Sequence, residues 1–81
     1  PTSLNDIVIV LFHIVEEHPF VDSTVENASN KLKGTMPLIF RKSEQGIQSI
    51  VTSPDTKIVE GDTVAMILKQ EYLSLADEIN G

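Results

Sequence analysis

Cysteine is absent from the 81 residues, so neither a disulfide nor a thiolate metal site is available. Glycine is scarce. Its four residues stand singly, none in the G-x-G-x-x-G spacing that opens a phosphate-binding helix, which excludes a dinucleotide-binding half. Basic residues number 6 against 12 acidic ones, and a net charge of −6 repels phosphate backbones and anionic lipid surfaces. Nucleic acid is therefore not an expected partner. The longest apolar run, Ile7 to Phe12, falls far short of the ~20 residues of a membrane span. It also lacks the basic flank and cleavage site of a signal peptide, so direct membrane insertion is not expected. Histidine appears only at positions 13 and 18, and no nucleophile elbow or triad spacing accompanies them. Catalysis has little to work with, and the chain is expected not to be an enzyme.

What is present is an ordinary globular balance of 41% apolar and 22% charged residues, enough for one small core. Pro1 to Asn5 is expected to be a flexible polar leader, and residues 6–81 a single domain. The ends, Pro1 and Asn80-Gly81, suggest a segment of a larger polypeptide. Ile7 to Val15 is almost unbroken apolar and rich in β-branching, which predicts a strand buried on both faces, ended by Glu16-Glu17-His18-Pro19. Ser23-Thr24-Val25-Glu26 fits a capping box with Ser23 as the N-cap. Val25, Ala28 and Leu32 follow at helical spacing, and Gly34 is placed to close the helix in the left-handed conformation. Met36 to Arg41 and Ile47 to Thr52 predict a hairpin around Gly46, with Pro37 at an edge or bulge. Lys57-Ile58-Val59 is a brief extended piece and Glu60-Gly61-Asp62 a tight turn. Thr63 to Leu68 is a last strand, and Tyr72, Leu75, Ala76 and Ile79 mark one face of a C-terminal helix. The fold class is α+β, in the order β-α-β-β-β-α, with a mainly antiparallel four-stranded sheet and two helices.

The individual polar residues have plain structural uses. His13, inside the apolar strand, suits a satisfied core or interface position better than a general base. His18 with Glu16 and Glu17 has the residue types of a weak metal site, but three polar residues at a strand end more commonly make a solvated bend. No metal is expected. Asp62, after a glycine in a tight turn, is placed to accept from nearby amides. The informative excess is apolar. Strands at 7–15 and 63–68 are apolar on both faces, while two thin helices cover only one side of a four-stranded sheet. The remaining face calls for a partner, most simply a second copy in a homodimer.

Several stretches resemble the TrkA-C (RCK C-terminal) family. Glu17-His18-Pro19-Phe20-Val21-Asp22-Ser23-Thr24-Val25 is similar to its approach to the first helix, with Asp22 where the family pattern has glycine. Leu38-Ile39-Phe40-Arg41, a glycine-bearing turn and an aliphatic strand follow. Pro54 through Ile58 and Glu60-Gly61-Asp62-Thr63-Val64-Ala65-Met66 then match its closing pattern. The resemblance spans about Ile7 to Ile79. It implies a dimeric, ligand-sensing regulatory domain on the cytoplasmic side of a bacterial ion channel, transporter or antiporter, potassium transport among them, tethered to the membrane through the rest of that parent protein. It also implies no resident cofactor and a small effector such as a cyclic dinucleotide. The corresponding ligand-binding positions here are Asn30, Lys31, Thr35 and Met36. Lys31 is better explained as a surface lysine complementing the helix dipole. Alternatives are the effector domain of a transcription regulator or an unrelated protein-interaction module.

Overall fold

The computed structural model describes residues 6–81; the expected leader lies outside the described residues. Four strands and two helices follow the order expected: β1 (Ile7–His13), α1 (Val25–Leu32), β2 (Thr35–Ser43), β3 (Gly46–Val51), β4 (Thr63–Lys69) and α2 (Leu73–Asn80). A single 3₁₀ turn, Gln70–Tyr72, leads into α2. The strands form one antiparallel sheet in the order β1-β4-β2-β3, so β4 and β2 are central and β1 and β3 are edges. β2 takes an irregular step between Thr35 and Leu38, around Pro37, where a residue without an amide hydrogen interrupts the ladder.

Both helices lie against one face of this sheet. Phe12, Val64, Met66, Leu68, Met36 and Ile39 point into that side and meet Val25, Ala28 and Leu32 of α1 and Ala76 of α2, all buried. Phe20 and Ile58, from the connecting segments, complete the core. The expectation that β1 is buried on both faces fails. Its burial alternates: Phe12 is fully buried, while Ile7, Ile9 and Leu11 are 69%, 71% and 49% exposed. The unbroken apolar run is two stripes of different fate, since successive side chains point to opposite faces and the helices reach only one.

The first helix begins one residue later than the capping box implies. Thr24, not Ser23, is the N-cap; its hydroxyl accepts from the amide of Asn27 at 3.2 Å. The reason is an extended pairing just before it. Asp22 N–H donates to the Ile58 carbonyl and Ile58 N–H to the Ser23 carbonyl, both at 2.8 Å, with Thr24 bridged to Lys57. The Ser23 carbonyl is thereby engaged by Ile58, while Thr24, extended at φ −80 and ψ 157, stands at the N-cap. Thr24→Ala should cost about 0.5–2 kcal/mol, whereas Ser23→Ala should stay within about 0.5 kcal/mol, read from urea midpoints. A larger loss at Ser23 would contradict the placement.

The other end of α1 is also shifted. Lys33, with φ 50, takes the left-handed position expected of Gly34. Gly34 has a different task. A Cβ there would lie 2.5 Å from the Ile67 carbonyl oxygen and 2.8 Å from Met66 Cε, so only glycine lets the chain cross β4 at this distance. The other non-glycine residue with a positive φ among the described residues is Asp22, with φ 65. Asp22→Gly should stabilise the fold by about 1 kcal/mol, because a left-handed residue with a Cβ costs roughly that much; an unchanged or lower midpoint would count against it.

Candidate functional site

Register places the uncovered apolar side chains in ordered rows. Leu11 pairs with Ala65, Ala65 with Leu38, and Leu38 with Val51, so one apolar row crosses all four strands. At about 4.8 Å between strands it is roughly 14 Å wide. Ile9 and Ile67 stand beside it in register, and Phe40 lies on the same side between Thr63 and Ser49. Val51 and Ile47 of β3 are 85% and 72% exposed, matching Ile7 and Ile9 at the opposite edge. This is a continuous surface, not scattered single residues, and it crosses the outer side of the sheet from edge to edge.

His13 sits at the rim of this face, exposed, with Nδ1 hydrogen-bonded to the Thr63 hydroxyl at 3.1 Å. A core position for His13 is therefore excluded, since it lies in the outward stripe of an edge strand. His18 is the opposite case. It is buried, not part of a solvated bend, and packs between Phe12 and Phe20 with ring centroids 5.8 and 5.4 Å away. Phe20 N–H donates to His18 Nδ1 at 3.0 Å, which leaves Nε2–H to donate to Asn80 Oδ1 at 3.2 Å. Its ring thus ties the β1–α1 connection to the end of α2. Among the described residues no group of three ligating side chains is arranged to hold a metal ion.

Asp62 does accept an amide, from Val59 at 2.9 Å, and Gly61 before it has the φ of 91 that the turn requires. Its main partner is Arg41. Arg41 Nε and a terminal nitrogen donate to the two carboxylate oxygens at 2.8 and 2.9 Å, while that same nitrogen also donates to the Lys57 carbonyl at 3.0 Å. The Asp62 side chain is fully buried and that of Arg41 is 32% exposed. The Asp62 hydrogen bond raises the Arg41 pKa above its ordinary value, against the opposing pull of desolvation, and Coulomb attraction adds to the rise. This fork fastens β2 to the turn before β4. It is a structural lock. In the next turn, the Ser53 hydroxyl holds the exposed Asp55 carboxyl below its usual pKa, assisted by its backbone. Its small stabilising contribution is present above the ordinary carboxylate range and is lost as pH falls through the lowered value.

A concavity lies beside α1. Residues of α1, the start of β2 and the segment after β3 enclose a groove of about 280 Å³. Asn30, Thr35 and Met36 line it, while Lys31, also expected there, is not among the lining residues. Glu26, Ser29, Thr52 and Ser53 line it as well, and none of them was expected. Ser29 had a readable signal. It stands four residues after Val25 on the apolar stripe of α1, where a hydroxyl needs a partner. Comparisons with family models and with curated proteins return no match for this chain.

Proposed function

We propose that this domain is a non-catalytic regulatory module of the TrkA-C type, which works as a homodimer closed through the outer face of its sheet. The observation that carries the reading is the apolar row Leu11-Ala65-Leu38-Val51 with its neighbours, a surface that a monomer leaves in water. A second copy satisfies it symmetrically, because the same patch serves both partners in a twofold pair. Two further features support the family part of the reading. The element order is the one the resemblance implies. Asp22, where the family pattern has glycine, holds a φ of 65, a conformation that glycine adopts without strain.

In this reading the domain belongs to the cytoplasmic part of a bacterial ion-transport protein, and no helix among the described residues is long and apolar enough to cross a membrane itself. A change in dimer geometry would bias the transport part between two states, by as much as an effector's affinity differs between them. The test is ion uptake by cells carrying the intact polypeptide, wild type against Ile9→Lys. Ile9 is 71% exposed, so the lysine leaves the fold intact and places a charge in the paired face. Altered uptake at equal protein level is expected. Identical uptake and identical effector response would remove the transport assignment.

A further inference from the structure

We infer that the groove between α1 and the β2–β3 pair is a binding site for a small organic cation, a guanidinium or primary amine on a short apolar stem. The first observation is Ser29. Its hydroxyl oxygen is buried without a hydrogen-bond partner among the described residues, the whole residue is only 9% exposed, and it lies in the groove wall. A buried hydroxyl left unpaired costs free energy that a bound acceptor or donor would return. The neighbouring hydroxyls do not supply it. Thr52 donates to the Met36 carbonyl, and Ser53 donates to the Asp55 carboxylate.

The second observation is the charge of the lining. Among the described residues Glu26 is its only charged one, and neither Lys31 nor Lys33 contributes to the wall. An anionic ligand would meet a carboxylate with no counter-charge inside a chain of net charge −6, whereas a cation is favoured by both. Val25, Met36, Pro37 and Pro54 provide apolar walls for a stem. The volume of about 280 Å³ falls just below the range of drug-sized ligand pockets, which run from about 300 Å³ upward. A compact amine fits this size. None of the exposed large apolar residues of the outer sheet surface lines the groove, which meets that face at Thr35, in register with Ile67.

Agmatine, a guanidinium and a primary amine joined by a butyl stem, is the probe, and AMP is the anionic control. Amide NMR of the isotopically labelled chain would follow each to about 20 mM, enough to saturate a millimolar site. Salt of about 0.15 M keeps diffuse attraction within roughly 8 Å of each charge. Saturable agmatine shifts are expected at Ser29, Asn30 and Thr35, with no matching response to AMP. Glu26→Gln should weaken agmatine roughly tenfold, the usual weight of a charged hydrogen bond. Ser29→Ala should weaken it several-fold while raising the thermal midpoint, because it deletes the unpaired hydroxyl. A purely structural serine would lower that midpoint. Shifts that never saturate, that spread over the acidic surface, or that AMP reproduces would overturn the proposal, as would a Ser29→Ala variant that melts earlier.

Discussion

Replacing Arg41 with methionine is expected to remove about 3–5 kcal/mol of folding stability, the cost of leaving a buried charge without its partner. Asp62 would then keep only the Val59 amide at 2.9 Å as a donor to its fully buried carboxylate. The reverse deletion is milder. In Asp62→Asn the Arg41 side chain, already 32% exposed, turns to water, and about 1–3 kcal/mol is expected for the unmatched hydrogen bonds. Domains keep about 0.05–0.15 kcal/mol per residue, or roughly 4–12 kcal/mol for 81 residues, so Arg41→Met takes a large share of the whole. Urea unfolding of the two variants decides the matter by their order. Equal losses, or a smaller loss at Arg41, would mean that the Asp62 carboxylate is not the costly member.

Phe12→Ala should be comparably severe, about 3–5 kcal/mol, because it empties the centre of the aromatic cluster. Phe12 is fully buried and lies against Phe20 at 5.6 Å and His18 at 5.8 Å, so its loss loosens both the β1–α1 connection and the seat of α2. Its neighbour Leu11 provides the contrast. Pointing out of the same strand and 49% exposed, Leu11→Ala should change the unfolding of dilute, unpaired chains by no more than about 0.5 kcal/mol. At high protein concentration its effect should grow, since it then also weakens the paired state by mass action. If Leu11→Ala is as damaging as Phe12→Ala at every concentration, the outer face is not an open surface in the single chain.

The element order was legible because turns and helix ends carry their own chemistry: Gly46, Gly61 and Pro54 mark reversals that the fold has. What failed depended on partners distant in sequence. Ser23 and Thr24 are equivalent caps by local pattern, and the choice was made by Ile58, thirty-odd positions away, pairing with Ser23. Periodicity could not divide the run of β1 into a covered and an uncovered stripe, since both stripes are apolar; that division came from which side the helices took. His18 sits in a polar context, and only the closure of α2 through Asn80 makes it a core residue. Arg41 is bonded to Asp62 across the sheet, a pairing that neither residue's neighbours announce. Of the four positions that the family resemblance implied for a ligand, Asn30, Thr35 and Met36 share the groove because the α1–β2 connection brings them together. Lys31 turns off the lining side of the same helix.

The central claim is that the outer sheet face is closed by a second copy, and sedimentation equilibrium tests it most directly. At high micromolar concentration the wild-type chain should sediment at twice its mass of 8.9 kDa. Association should tighten as salt is raised, because each partner carries a net charge of −6 and screening relieves their repulsion. Val51→Lys, altering a residue 85% exposed in the single chain, should return the mass to that of one chain while the thermal midpoint of dilute protein stays unchanged. A wild-type chain that remains at 8.9 kDa throughout this range, in low salt and in high, would contradict the account.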